Sequence, residues 1–372
     1  MNPAPPLRVE LGPRSYDIPF HHEAPAAVAA DIAGFVPERA MVIAGATPWR
    51  IHGKRYGSAL RDAGVDFDLA EVPDGEIHKT FSTAGALLGR MIEARHGRRA
   101  CVIAFGGGVV GDLAGFVAAM YLRGVDCVQV PTTVVAMVDS AVGGKTGVDH
   151  PLGKNLVGAF HQPKLVAVDS ALLGTLDDHN LRGGFAEVAK YGVIADAAFF
   201  EWLERDIERA LALDDEAIAH VIRTSCAIKA RVVADDERES EGGTRATLNF
   251  GHTFAHAIEA AMEYGETQMH GQAVAMGMCC AADLAADLGL CDATVPARIE
   301  ALLTRAGLPT TLPAEPAASM AAERLYDIMG RDKKARSGRV RFILPRTMGM
   351  VEMIADIPPQ KVHAAIRRRQ RG

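Results

Sequence analysis

Between residues 38 and 170 the chain repeats one pattern: a short apolar run, a glycine-bearing turn and a stretch with helical spacing. The runs are MVIAG (41–45), FDLAEV (67–72), ACVIAF (100–105), VDCVQV (125–130) and LVAVD (165–169). A strand with one wet face alternates apolar and polar residues, whereas a nearly continuous apolar run suits a strand covered on both sides. Residues 81–95 and 109–121 carry the helical spacing that covering layers need. The pattern predicts a doubly wound α/β half built on a parallel sheet.

Beyond about residue 178 the texture changes. Alanine-rich stretches at 182–213, 215–235, 249–264, 270–289 and 294–306 predict helices, and ILP (343–345) is expected to pair with 351–354 as short strands. The tail IRRRQRG reads as a basic helix end in solvent. With 372 residues there is room for two domains, placed at 1–177 (α/β, nucleotide-binding) and 178–372 (helical). A ligand is expected in the cleft between such halves.

Composition narrows the classes. A net charge of −6 argues against a nucleic-acid or anionic-membrane partner. The six cysteines contain no C-x-x-C pair and are expected to be reduced, buried hydrophobes of a cytosolic protein. The opening MNPAPPLRVELG lacks the charged-then-apolar order of a signal peptide, and no apolar run is long enough to span a membrane. A soluble, cytoplasmic protein is expected.

Three glycine-rich segments raise a phosphate question. FGGGVVGDLAGF (105–116) follows a strand and opens a helix, where free N–H groups favour a pyrophosphate. Its spacing is not G-x-G-x-x-G, and a tight strand–helix turn accounts for it equally. PDGEIHKT (73–80) offers two acids, a glycine and a lysine for a ribose and a phosphate. The run 130–155 sets Lys145 and Lys154 on glycine turns with Asp139 and Asn155 beside them. Lysine in such a place binds phosphate or an acidic substrate. GGKT lacks the first half of a Walker A loop, which excludes that NTPase class.

NFGHTFAHAIEA (249–260) sets His252 and His256 four residues apart, on one helical face. A two-ring zinc clamp, a metal ligand beside a proton carrier, and two unrelated histidines all fit that spacing.

VDSAVGGKTGVDHPLGKN (138–155), GFAEVAKYG (184–192), NFGHTFAHA (249–257) and MHGQAVAMGM (269–278) occur together and in this order. As a set they resemble the 3-dehydroquinate synthases, over roughly residue 40 to Asp332-Lys333-Lys334. The resemblance implies an α/β N-terminal nucleotide-binding domain plus an all-α C-terminal metal-binding domain, a dehydroquinate synthase-like fold, usually as a homodimer. It implies conversion of a seven-carbon keto acid phosphate, 3-deoxy-D-arabino-heptulosonate 7-phosphate, to 3-dehydroquinate and phosphate. In that family NAD⁺ oxidises C5, phosphate leaves and takes the proton itself, C5 is reduced again, and an aldol step closes the ring.

The resemblance also assigns residues. Metal ligands would be Glu187, His252 and His270, a set that leaves positions open on a Zn²⁺- or Co²⁺-type ion. It resolves the histidine pair: His252 becomes the ligand and His256 the proton carrier, with Glu259 one turn on to orient a ring. Substrate contacts would come from Lys145, Asn155, Lys190, Lys229, Arg245 and Lys333 or Lys334, with Arg123 reaching the neighbouring subunit's phosphate. Asp139, Lys190, Asn249 and His256 would serve catalysis. NAD would be held by Asp74, Gly75, Glu76 and Lys79, by Gly106, Gly107, Gly108, Val109, Val110, Gly111 and Asp112, by Thr132, Thr133, Asp139, Lys145 and Lys154, and by Leu172 and Thr175.

The chain departs from the family in places. AGATPW follows the first strand where the family often has an acid or amide near the adenosine ribose. Gln272 stands where glutamate is usual, AMVDSA replaces AQVDSS, and DDERESEGGTR (235–245) is longer by about two residues. Three rival readings are another sugar phosphate cyclase acting on a sugar without the carboxylate, a metal- and NAD-dependent polyol dehydrogenase, and a non-catalytic NAD-binding relic. The carboxylated substrate is favoured by Lys229, Arg245, Asn249 and His256 together.

Overall fold

The computed structural model describes residues 5–240, 242–262, 270–313, 318–331 and 340–370. Its elements in chain order are β1 (Leu7–Val9), β2 (Tyr16–Ile18), β3 (Phe20–His21), α1 (Pro25–Ala33), β4 (Ala40–Gly45), α2 (Ala46–Asp62), β5 (Phe67–Val72), α3 (Phe81–Glu93), β6 (Cys101–Gly106), α4 (Gly108–Met120), β7 (Asp126–Pro131), β8 (Lys145–His150), β9 (Gly153–Phe160), β10 (Leu165–Val166) and β11 (Val168–Asp169). Then follow α5 (Asp178–Ala195), α6 (Ala197–Leu211), α7 (Asp215–Asp235), α8 (His252–Ala261), α9 (His270–Asp287), α10 (Thr294–Arg305), α11 (Ala322–Arg331), β12 (Arg341–Thr347), β13 (Met350–Ala355) and α12 (Pro359–Arg369). Two compact units result: Met1–Leu176 with Ile218–Arg238, and Asp177–Ala217 with Glu239–Gly372.

The first unit is built on a seven-stranded sheet in the order β1-β2-β10-β7-β6-β4-β5, parallel except for β1 against β2. Every residue of β4 (AMVIAG) and β6 (CVIAFG) is buried, as their apolar runs require. Met41, Ile43, Val102, Leu113, Phe116 and Val117 lie in one core cluster. The run 165–169 divides at Ala167: β10 stays in the large sheet and β11 pairs with β3.

Where β11 ends, fully buried Asp169 accepts from the backbone N–H groups of Glu23 (2.8 Å), Ala24 (2.9 Å) and Ala171 (3.1 Å) and from the Tyr56 hydroxyl (2.8 Å). Four donors compensate the burial of that charge. They also fix the following turn, Ser170–Thr175. Most of α7 belongs with this unit, because Lys229 reaches the Asp139 carbonyl (2.6 Å) and Cys226 the Met137 carbonyl (3.1 Å).

The second unit is helical with one hairpin, β12–β13, whose register pairs Ile343 with Met353 and Leu344 with Glu352. That matches the strand pair expected from ILP. The stretch 182–213 is two helices rather than one, since Asp196 caps α6 by accepting from the Phe199 N–H at 2.9 Å. The basic tail needs correction. Arg369 is only 6% exposed and forks onto Asp283 at 2.7 and 2.9 Å, while Arg368 meets Asp287. The C-terminal helix docks on α9 and α10 through Arg369, which is not a solvated charge, while Arg367 and Arg368 remain exposed as a basic helix end.

Other differences are local. Residues 145–160, read as glycine turns, form the antiparallel hairpin β8–β9. The N-terminal strands β1–β3 and helix α1 precede the repeating pattern and lie outside the stretches the sequence predicts as elements. Five cysteines are buried and Cys291 partly so, all free; burial pushes the thiols of Cys127, Cys226 and Cys279 up to about 12. None is poised as a nucleophile. No described helix is long and apolar enough to cross a membrane.

Candidate active site

Three helices of the second unit converge because glycines let them. Gly271, at the start of α9, lies so close to the Gly183 backbone of α5 that any side chain there would clash with it. Gly277 meets the backbone at Gly251 in the same way, and Gly251, with φ +80°, starts α8 in a left-handed turn. These approaches bring Glu187 of α5, His252 of α8 and His270 of α9 together. One ligand atom from each lies within 4.8 Å of the others, and this is the one such group among the described residues.

Gly271→Ala tests that packing. Alanine normally gains up to about 1 kcal/mol over glycine in a helix. Here the obstacle is backbone, which cannot step aside as a rotamer can. A net loss of about 3 kcal/mol in unfolding free energy is expected, read by chemical denaturation.

The local geometry selects ring nitrogens. His252 Nδ1 donates to the Phe250 carbonyl at 3.1 Å, leaving Nε2 facing Glu187 Oε1 at 3.3 Å. His270 presents Nε2 to the same oxygen at 3.5 Å and Nδ1 to Glu259 at 3.6 Å. Each ring has an outer acceptor on one nitrogen and the shared carboxylate on the other, the arrangement metal-ligating histidines use. Glu187 is fully buried beside Lys190, itself 1% exposed, and neither of its oxygens makes a well-aligned hydrogen bond. A buried carboxylate left this way, facing two Nε2 atoms, fits a divalent ion.

Burial works against ionised Glu187, but Lys190, His252 and His270 outweigh it and hold its pKa well below the usual range. Burial likewise lowers His252 to about 4, against the opposing pull of Glu187. At His270 burial is overcome by Glu187 and Glu259, which raise it to about 9. His256 stands one turn beyond His252, the rings 5.7 Å apart and nearly perpendicular.

On the same unit the turn Thr244–Asn249 carries Arg245, 2% exposed, and packs on α5. Asn249 donates to Glu239 at 3.0 Å. Gln272 lies by His179 of α5, 3.3 Å from Nδ1 and 3.4 Å from the carbonyl. The substitution of glutamine for glutamate therefore falls beside α5's first turn, while Glu259 supplies the carboxylate on His270. Lys333 and Lys334 lie outside the described residues.

In the first unit the glycine-rich segments sit at the carboxyl ends of parallel strands of one sheet, β6 and β7 side by side and β5 beyond β4. Gly106 ends β6, and Gly107 to Asp112 make the first turn of α4, whose N-cap Gly107 has no capping side chain. Its free N–H groups are an anion site of the kind a pyrophosphate uses. Thr132 and Thr133 follow β7; Asp74, Gly75, Glu76 and Lys79 follow β5. Lys79, 3% exposed, contacts Asp112 (2.7 Å), the Asn155 side-chain oxygen (2.6 Å) and Glu76 (3.6 Å). Burial disfavours its charge, but Asp112 and Glu76 outweigh that and raise its pKa.

Asp139 is in the wide helical turn Ala136–Ser140 and forms an ion pair with Lys229. Lys145 opens β8 and is exposed; Lys154 and Asn155 are in β9. Leu172 and Thr175 lie in the turn fixed by Asp169, and the Thr175 hydroxyl meets His52 Nε2 at 2.7 Å. Arg123 is exposed in the turn after α4, with φ 71°.

Sequence reading singles out neither the Phe250 carbonyl, which has no side-chain signature, nor Thr47, whose hydroxyl bonds Asp74. A threonine in the first turn of a helix that follows a strand was the available signal for the latter.

Comparison with known proteins agrees with this architecture. The family model described as 3-dehydroquinate synthase N-terminal matches residues 69–183, and that described as 3-dehydroquinate synthase C-terminal matches 184–335. The 2-epi-5-epi-valiolone synthase ValA of Streptomyces hygroscopicus subsp. jinggangensis 5008, solved with NAD⁺ and Zn²⁺ bound, is 27% identical with a TM-score of 0.87, over 96% of this chain and 97% of that one. A 2-deoxy-scyllo-inosose synthase solved with carbaglucose-6-phosphate, NAD⁺ and Co²⁺ shares the fold at 24% identity and a TM-score of 0.86, covering 98% of this chain and 99% of that one. A probable glycerol dehydrogenase from Sinorhizobium meliloti 1021 shares it more distantly, at 18% identity and 0.66, over 94% and 95%. The two-domain fold is that of the sugar phosphate cyclases and, further off, of metal-type alcohol dehydrogenases. The chain belongs to the 3-dehydroquinate synthase family.

Proposed function

We propose that this chain is a 3-dehydroquinate synthase. It converts 3-deoxy-D-arabino-heptulosonate 7-phosphate to 3-dehydroquinate and phosphate by transient oxidation at C5, elimination, re-reduction and aldol closure. NAD⁺ and one divalent ion, Zn²⁺ or Co²⁺, when bound supply a hydride acceptor and a Lewis acid. Residues 1–177 hold the nucleotide, and 178–372 hold the metal and substrate. The chain works as a cytoplasmic homodimer, with Arg123 reaching the neighbouring active site.

Glu187, His252 and His270 would hold the ion. Phe250 and Glu259 fix their ring orientations. Lys190 brings a buried positive charge beside Glu187 and, with Lys145, Asn155 and Lys229, meets the substrate's oxygens. Lys333 or Lys334 adds a further cation. His256 holds and passes a proton near the reacting carbon, with Asp139 and Asn249 assisting. Since the leaving phosphate takes its own proton, the protein's work is mainly positioning and charge.

The observation that carries the choice of substrate is Arg245. A guanidinium held beside the helix of Glu187 and Lys190 would offer a carboxylate two parallel N–H groups, which a sugar hydroxyl cannot match. Phosphate release from the carboxylated substrate, measured against a seven-carbon keto sugar phosphate without the carboxylate, tests it. The carboxylated substrate is expected to be preferred by about 10³-fold or more in kcat/KM. A preference for the sugar phosphate without the carboxylate would identify the chain as another cyclase of the family, the reading that its likeness to ValA favours.

A further inference from the structure

Lys145 opens β8 directly after two glycines in left-handed backbone, Gly143 at φ 99° and Gly144 at φ 65°. That pair sets where the lysine stem starts, and glycine brings little conformational preference of its own. The turn is gripped from outside instead. The Gly143 N–H donates to the hydroxyl of Tyr16, 2% exposed in β2, at 3.0 Å. The Gly144 carbonyl accepts from the His161 N–H at 2.8 Å. The Gln162 side chain packs on Gly144 so closely that a β-carbon there would fall 2.6 Å from Gln162 Cδ.

Gln162 is itself held. Its Nε2 donates to Glu237 Oε1 at 3.0 Å, and Arg14 forks onto the same carboxylate at 3.1 and 2.5 Å. A carboxylate offers only acceptors, so the NH₂ end of the amide must face Glu237, which fixes the side chain over Gly144. Arg14 and Tyr16 are two residues apart on one N-terminal segment, so the contacts close into a ring around the turn. Every member belongs to the first unit. The Arg14 side chain is 57% exposed, where an ion pair adds little stability. Orientation is what Glu237 supplies.

We infer that Glu237, acting through Gln162 and opposed by Tyr16, is a positioning residue that holds the Gly143–Gly144 turn so that Lys145 meets the substrate's oxygens. The inference rests on the assignment of Lys145 to the substrate proposed above. It differs from a purely structural role, in which the ring would only dock the N-terminal strands.

A double-mutant cycle on substrate affinity separates the two roles. Calorimetry of the metal-loaded protein, with NADH in place of NAD⁺, reads binding of 3-deoxy-D-arabino-heptulosonate 7-phosphate before any turnover begins. Glu237→Ala is expected to weaken binding about tenfold and Tyr16→Phe about threefold. Glu237→Gln keeps an acceptor for Gln162 and should stay within about twofold of wild type. With Lys145→Ala already in place, Glu237→Ala and Tyr16→Phe should each change affinity by less than about twofold. Equal weakening in both backgrounds, or none in either, overturns the inference and leaves the proposed function standing. Full affinity in Lys145→Ala alone overturns it together with the assignment of Lys145. Wild type that fails to bind overturns the substrate reading as well.

Discussion

Replacing His270 with alanine is expected to abolish turnover and tight metal binding together, whereas His256→Ala is expected to slow turnover and keep the ion. His270 Nε2 and His252 Nε2 face one oxygen of a fully buried carboxylate. Losing a ring leaves too few ligands to offset dehydration of the ion. The affinity should fall by more than the roughly 100-fold typical of losing an outer hydrogen-bond partner. His256 lies beside His252 but outside the group of three. Its removal should cost about 10²–10⁴ in kcat, the range for a proton-transfer group. Metal content of the purified variants, measured with kcat, decides this. Equal loss of metal in both would contradict the division of roles.

The second large effect is expected at Arg245. Arg245→Met should lower kcat/KM for the carboxylated substrate by about 10³-fold while changing that for the sugar phosphate without the carboxylate by less than about tenfold. The residue sits in the turn Thr244–Asn249, 2% exposed, so the variant removes a buried charge as well as a ligand contact. Methionine approximates the volume of the aliphatic stem and avoids a cavity. Retained metal content and an unchanged circular dichroism spectrum show that the fold survives. Equal losses on both substrates would mean that Arg245 supports the site rather than reads the carboxylate.

How much of this was legible in the sequence depends on where each signal resides. β4 and β6 could be read directly, because strands buried on both faces must be apolar throughout. The hairpin β8–β9 could not: most of β9 is exposed and its apolar residues Leu156, Val157 and Phe160 follow no period. Nor could the placement of Ile218–Arg238 with the first unit, since α7 is one continuous helix and nothing in its pattern marks the division.

Glu187, His252 and His270 lie on three separate motifs, and their approach depends on glycines 183, 251, 271 and 277 meeting backbone to backbone. Sequence supplies those glycines without saying which face which. Tertiary pairing is also why the basic tail was misread: Arg369 looks like a solvated charge until Asp283, 86 residues earlier, is seen to receive it. Lys229 is similar, since its ion pair with Asp139 joins positions 90 residues apart.

The most direct test of the central claim, a redox cycle that closes on itself, is phosphate release by the purified protein with substoichiometric NAD⁺, following absorbance of NADH in the same cuvette. The account predicts many phosphates released per NAD⁺, no net NADH, and loss of activity on chelation that Zn²⁺ or Co²⁺ restores. NADH accumulating in step with substrate consumed, or full activity after every ion has been stripped, would contradict it.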